Sequence, residues 1–267
     1  MENAGAEKLF PAGVRIKRIF TAPELASGAV ALPAWDDPGM RLCKQRSRGR
    51  AVCGNGVFLK EYVYRSPWQR FRRRFGVPRP FVALEAARRL ETLGIPTPRV
   101  LAAVRGVAPD GAVHDLVVTE ELPSDTVFGD AFAASPECGG ASELACELVP
   151  IVCRMHDGGV CHGDLSLRNW YRSSDGAWGV IDLDGARVSR RVSRFDRSRE
   201  LARLASSCFV AGTAAEDDSA KLKRVLEPFR ESYRKCGGEV FRRIFERRSR
   251  MLADRFRRKY LKLEKLK

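Results

Sequence analysis

Apolar and polar positions change rhythm along this chain. Residues 1–38 are rich in Ala, Pro and Gly and weakly patterned, which predicts a loose lead-in with one short helix. Residues 40–65 read as strands and hairpins. Gly54-Asn55-Gly56 marks a tight turn there, because Asn and Gly tolerate positive φ, and Val57-Phe58-Leu59-Lys60-Glu61-Tyr62 is the strand that leaves it. Apolar residues at 82, 86, 90 and 93 recur at helical spacing and predict a helix over Phe81–Leu93. Gly94 closes it, and Pro96 and Pro98 forbid its continuation. Two further strands, Arg99–Arg105 and Asp115–Leu122, flank the turn sequence Pro109-Asp110-Gly111. The rhythm then lengthens. Leu144, Leu148, Ile151, Val152 and Met155 form the stripe of a helix over Ser142–Asp157 with Pro150 inside it, and helices are predicted over Arg197–Val210, Ala220–Lys235 and Val240–Lys267. Between them, Asn169-Trp170-Tyr171 and Trp178–Leu183 read as a hairpin turning at Gly176. No internal repeat is present. The expected class is α+β, with a β-rich first lobe, an α-rich second lobe and a seam near Leu122–Thr126. The expected organisation is a lead-in over 1–38, a first lobe over 39–122 and a second over 123–267.

Composition fits this picture. The chain has 267 residues, 44% hydrophobic and 30% charged, as in a globular protein. No apolar run approaches the roughly 18 residues of a membrane span. The N-terminus lacks a basic stretch followed by an apolar one, so the expected location is cytoplasmic. Cysteines at 43, 53, 138, 146, 153, 161, 208 and 236 include no Cys-x-x-Cys pair and no zinc spacing, and read as reduced thiols. Cys146, Cys153 and Cys161 are expected to be small apolar fillers.

Charge adds an asymmetry. The net charge is +15, yet residues 1–185 hold 23 Lys and Arg against 22 Asp and Glu, while residues 186–267 hold 25 against 11. Arg65–Arg79 is a local exception, with six arginines, no acid, and Trp68, Phe71 and Phe75 among them. Such surfaces attract nucleic acid, anionic lipid head groups or phosphorylated sugars, or are simply solvated helix faces.

The chemistry concentrates in residues 162–186, HGDLSLRNWYRSSDGAWGVIDLDGA. Asp164 lies in the loop before the hairpin, Asn169 at its start and Asp182 at its far end. A hairpin brings those ends together, so two carboxylates and an amide converge. That set suits Mg²⁺, a hard cation that takes oxygen ligands and is shared with substrate phosphates, and leaves Asp164 to receive a proton from an attacking hydroxyl.

His162-Gly-Asp-Leu-Ser-Leu-Arg-Asn169 resembles the catalytic loop of protein kinase-like enzymes, and Val180-Ile181-Asp182-Leu183 resembles their metal-binding strand end. Asp184 competes with Asp182, which is favoured because it directly follows the apolar strand, thirteen residues after Asn169. The flanking text narrows the branch. Glu85–Val100, Val118–Leu122, Met155–Leu165 and Arg197–Leu204 are similar to the lipopolysaccharide core kinases, which phosphorylate Kdo or heptose of the inner core. The resemblance covers roughly 40–210 and is softer for the sugar than for the fold.

The resemblance implies a bilobal protein kinase-like fold and ATP-dependent phosphorylation of a sugar hydroxyl of the lipopolysaccharide core. It implies Asp164 as the base, and Asn169 and Asp182 as Mg²⁺ ligands. Lys60 would sit on the ATP phosphates, paired with Glu85 in preference to Glu91, and Glu120-Glu121-Leu122 would form the hinge whose backbone meets adenine. His162 would brace the loop, and Arg168 would face the phosphate or an anionic sugar. The Gly-rich loop departs from the protein-kinase pattern: Arg46–Gly54 lacks Gly-x-Gly-x-x-Gly. Ala-Pro-Glu is also missing after Asp182. An anionic glycolipid substrate gives the basic surfaces a meaning, peripheral contact with the cytoplasmic face of the inner membrane. The helix over 240–267 has apolar residues at 241, 245, 252, 256 and 263, and reads as packed on the second lobe in preference to interfacial. One alternative is an atypical RIO-type protein kinase associated with RNA, against which no recognisable RNA-binding module is present, so no nucleic-acid partner is expected. An aminoglycoside-type phosphotransferase would favour an acidic pocket, and a catalytically dead binding module would have no need of the full residue set.

Overall fold

The computed structural model describes residues 9–27, 32–133, 140–212 and 219–264. Packing divides the chain into two compact units, Met1–Ala87 with Pro98–Pro123, and Arg88–Thr97 with Ser124–Lys267.

The first unit is built on β1 (Arg15–Thr21), β2 (Arg41–Arg46), β3 (Gly49–Gly54), β4 (Val57–Tyr64), β5 (Val100–Val107) and β6 (Val113–Glu120), with α1 (Pro23–Ala26), α2 (Pro67–Arg74) and the first part of α3 (Arg79–Thr92). The strands form one antiparallel sheet in the order β1-β5-β6-β4-β3-β2. The β3–β4 turn is the expected one, with Asn55 at φ 52° and Gly56 at φ 76°. In β4, Val57, Leu59, Glu61 and Val63 are buried while Phe58, Lys60 and Tyr62 are half-buried, the alternation a pleated strand imposes.

The lead-in is not loose where it is described. β1 pairs with β5 along the sheet edge, and Leu9, Phe10 and Ala22 join the core formed by Val52, Leu59, Leu101, Val104, Leu116 and Val118. Trp35 packs on the same core and donates its Nε1–H to the Leu9 carbonyl at 2.8 Å. β1 escapes a period-two reading because a bulge between Ile16 and Arg18 breaks the alternation.

One buried ion pair anchors the sheet. Arg105 grips Asp115 with two bonds of 2.6 and 2.7 Å, and also donates to the Arg73 carbonyl of α2 at 2.9 Å. Asp115 is fully buried. Asp115→Ala strands the guanidinium, so urea unfolding at neutral pH should show a loss of about 3–5 kcal/mol. A loss below about 1 kcal/mol, the range of exposed pairs, would contradict this.

The second unit holds the rest of α3, β7 (Val127–Phe128), α4 (Gly129–Ala133), α5 (Ala141–Asp157), β8 (Val160–Cys161), β9 (Trp170–Arg172), β10 (Trp178–Val180), β11 (Arg187–Val188), α6 (Arg194–Gly212), α7 (Ser219–Lys235) and α8 (Arg242–Glu264). α5 runs through Pro150 and buries Leu144, Leu148, Ile151, Val152 and Met155, the stripe read from the sequence. α8 packs against α6. Phe245, Leu252 and Ala253 are buried, Ser206 donates to the Ser249 carbonyl at 3.1 Å, and Phe241 stays exposed. The side chains of 256 and 263 lie outside the described residues. Cys153 and Cys161 are buried, whereas Cys146 is exposed and fills no core; Cys138 lies outside the described residues.

Candidate active site

Two short pairings in the second unit build the site. β8 leads into the loop 162–169 and pairs with β11, Cys161 opposite Arg187. β9 and β10 form the hairpin, Val180 opposite Trp170 and Trp178 opposite Arg172. The loop therefore runs from the first pair to the second, and the segment 181–186 runs back. Held at both ends, the two segments lie side by side. Ile181 N–H donates to the Asn169 carbonyl at 2.9 Å. Gly163 has φ 84°, and a Cβ there would collide with the Gly185 carbonyl, so only glycine allows this approach.

The loop's own bonds fix its shape. Ser166 N–H and Asn169 Nδ2 both donate to the Asp164 carbonyl at 2.7 Å, and Asn169 N–H donates to the Ser166 carbonyl at 2.8 Å. With its nitrogen so committed, the Asn169 amide has Oδ1 as its ligating atom. His162 is fully buried. It accepts at Nδ1 from the Asp164 N–H at 3.4 Å and donates from Nε2 to the Ile181 carbonyl at 3.0 Å, tying loop to strand end.

Asp182 stands just past β10 in the left-handed region, φ 66° and ψ 53°. That conformation costs a non-glycine residue about 1–3 kcal/mol and is a feature of functional sites. Asp184 follows in the short 3₁₀ turn Leu183–Gly185 and is half-buried, while Asp182 is exposed. The Asp164 carboxylate pairs with Arg168 at 3.3 Å and with Arg203 of α6. Main-chain and amide bonds thus tie Asn169 to Asp164 and to Ile181, the residue before Asp182.

Beneath the loop lies Glu200, which the sequence reading left without a role. Its carboxylate accepts from the backbone N–H groups of His162, at 2.9 Å, and of Gly163, and from His156 Nε2 at 3.1 Å. Burial pushes this carboxyl up, but the hydrogen bond from His156, the electrostatic pull of the His156 and His162 rings and the His162 backbone N–H outweigh burial and hold it below the usual carboxylate range. The chain of donors continues outward. Arg197 donates to the Tyr233 hydroxyl at 3.2 Å, and the hydroxyl donates to His156 Nδ1 at 2.7 Å. Burial first, and the neighbouring Cys153 and Asp157, push the Tyr233 phenol up, against the lowering effect of Arg197.

The first unit holds the other expected residues. Lys60 is half-buried on β4 between Ala51 and Val117, with Nζ 5.2 Å from the Tyr62 ring. Glu85 is exposed, so the partner expected to complete a buried pair with Lys60 stands on the helix surface. The buried face of α3 is taken by Phe81, Ala83, Leu84, Ala86, Ala87 and Leu90, which leaves Glu85 on the solvent face with Arg88 and Arg89, three and four positions on. Glu91 is exposed as well. Glu120 closes β6 and pairs through its side chain with Arg99 at 2.9 Å, and Glu121 N–H donates to the Gly56 carbonyl at 2.9 Å. Leu122 follows, half-buried and outside the ladder, as a segment offering backbone groups to a ligand would be.

Among the described residues no three His, Cys, Asp or Glu side chains gather around a metal position. A Mg²⁺ site completed by Asn169 and by the substrate's phosphates does not need such a cage, and the oxygens of Asn169 and Asp182 are the hard donors that cation takes.

A model of the family described as "Lipopolysaccharide kinase (Kdo/WaaP) family" matches residues 53–226. The solved structure "WaaP in complex with acyl carrier protein" superposes with a TM-score of 0.58 at 22% identity, covering 88% of this chain and 99% of that one. The crystal structure of WbdD is a weaker likeness, with a TM-score of 0.44 at 15% identity over 74% of this chain and 46% of that one. No curated protein matches the sequence.

Proposed function

The chain belongs to the lipopolysaccharide kinase (Kdo/WaaP) family, and on that premise we propose that it transfers the γ-phosphoryl group of ATP to a Kdo or heptose hydroxyl of the inner core. The observation that carries this reading is the pair of bonds that tie Asn169 to the Asp164 carbonyl and to the Ile181 N–H, one residue before Asp182. Asp164 receives or orients the proton of the attacking hydroxyl. Asn169 Oδ1 and Asp182 would hold Mg²⁺, which would supply charge neutralisation at the phosphates. Lys60 steadies the α- and β-phosphates, and the Leu122 backbone with that of Glu120 meets the adenine. Glu85, exposed on α3, is the candidate partner of Lys60. His162 and Glu200 position the loop. Phosphoryl transfer is mostly positioning and charge neutralisation, so this small set suffices.

The acceptor is tested by incubating the protein with ATP, Mg²⁺ and either Kdo₂–lipid A or heptosylated core, and locating new phosphate by mass spectrometry. Phosphate on the Kdo ring or on heptose identifies the branch; phosphate on neither contradicts the reading.

We also propose that α2 rests on an anionic lipid surface. Trp68, Phe71 and Phe75 are 67%, 57% and 68% exposed, and form a continuous aromatic strip with ring centroids 6.1 and 5.4 Å apart. Arg70 is tied back to the Asp110 carbonyl at 3.0 Å and Arg105 to that of Arg73, so the helix is anchored on its polar side. An exposed aromatic strip among arginines suits a bilayer interface. Co-sedimentation with phosphatidylglycerol vesicles should exceed that with phosphatidylcholine, and the double variant Trp68→Ala/Phe71→Ala should bind at least about 10-fold more weakly. Equal binding by variant and wild type would place the contact elsewhere. Among the described residues no helix is long and apolar enough to cross a membrane.

A further inference from the structure

Beside the loop, within the second unit, lies a cavity of about 230 Å³. That is far more than the roughly 10–15 Å³ a single water needs. Its wall includes Gly163, adjacent to Asp164, and Gly185, adjacent to Asp184, so it borders the proposed site of chemistry. The rest is dominated by Arg187, Arg199, Arg203 and Arg248.

The cavity's own acids do not balance these cations. Asp196 is committed to Arg187 at 2.7 Å and to Ser193. Glu200 is spent on the loop's N–H groups and His156. Arg203 turns to Asp164. Among the described residues no carboxylate pairs with Arg199 or Arg248, and Arg248 Nε is buried with no hydrogen-bond partner. Burial, then the charges of Arg199, Arg203 and Arg255, make Arg248 a weaker base than an ordinary arginine. A partly buried guanidinium facing like charges, with a donor unmet, is costly until an anion arrives.

We infer that this pocket binds an anionic group of the acceptor, a sugar carboxylate or a phosphate already on the core, and so sets which hydroxyl reaches Asp164. Guanidinium forks match the planar oxygens of a carboxylate and the faces of a phosphate bidentately, which gives orientation as well as affinity. Arg203, shared between the pocket and Asp164, links anion binding to the base. The inference rests on the kinase reading but concerns binding, so the two can fail separately.

The test is thermal melting and calorimetric titration of the full chain with inorganic phosphate, with free Kdo, and with Kdo methyl ester, which lacks the charge. Wild type should bind one or both anions and not the ester. A preference for free Kdo identifies a carboxylate as the source, and a preference for phosphate identifies a phosphorylated sugar. Arg199→Gln, at an exposed position, and Arg248→Gln should both lose the binding. Arg248→Gln should also melt higher than wild type without anion, because it relieves repulsion, whereas loss of a merely structural arginine would lower the melting temperature. In transfer assays both variants should raise the acceptor KM about 10- to 100-fold, the size of a lost charge-assisted hydrogen bond, with kcat little changed. No anion binding by wild type, or unchanged binding and KM in both variants, overturns the inference and leaves the kinase reading standing. Anion binding that both variants lose, in a protein that transfers no phosphate to any core glycolipid, overturns the kinase reading and leaves the pocket.

Discussion

Asp164→Asn lowers kcat for phosphate transfer by about 10²–10⁴, the usual contribution of a positioned general base, and leaves the fold intact. Asparagine keeps the shape of aspartate but cannot take the hydroxyl proton. The loop does not depend on the carboxylate, because the bonds from Ser166 and Asn169 go to the Asp164 carbonyl. The pairs lost, with Arg168 and Arg203, involve a side chain 34% exposed and are worth little to stability. Melting temperature should therefore hold while kcat falls and the nucleotide KM stays. Steady-state kinetics on the purified variant decide it. A loss smaller than about 10-fold would place the base elsewhere.

Glu200→Gln should destabilise the fold as much as Asp115→Ala does. Glutamine offers one acceptor oxygen where the loop presents two backbone N–H groups and His156 a third donor, and its own NH₂ is turned toward donors. The site is buried, so the expected cost is about 3–5 kcal/mol. Transfer activity should fall with it, since Gly163 and Asp164 lose their support. The pH dependence has a defined sign. The native carboxyl lies below its ordinary value of 4.5, so its contribution is fully present above that value and is lost as pH falls through the lower native one. Urea midpoints of wild type should drop on acidification past about pH 4, and those of Glu200→Gln should drop less. Parallel acid profiles would show that Glu200 carries no such role.

Much of the site was legible because local rules decide it. Gly176 and the apolar run before Asp182 specify a hairpin, and a hairpin places Asn169 beside Ile181 whatever surrounds it. The remaining misses are tertiary. Glu85 lies between the buried Leu84 and Ala86, so its exposure depends on how the helix is rotated about its axis. β1 is hidden by its bulge. Glu200 left a trace that could have been followed: it lies four residues before Leu204 and eight before Cys208, a carboxylate on an otherwise apolar helix face, and all three are buried. What it supports, the amides of His162 and Gly163, lies 38 and 37 residues away, beyond any local pattern. The cationic pocket is equally non-local, since Arg187, Arg203 and Arg248 come from β11, α6 and α8.

The most direct test of the account is phosphate transfer from ATP to purified inner-core glycolipid by wild type and Asp164→Asn side by side, with Mg²⁺ present. Wild type should show glycolipid-dependent phosphate incorporation that all but vanishes in the variant, with nucleotide binding retained in both. Equal transfer by the two proteins, or nucleotide binding with no phosphate reaching the glycolipid, would contradict it.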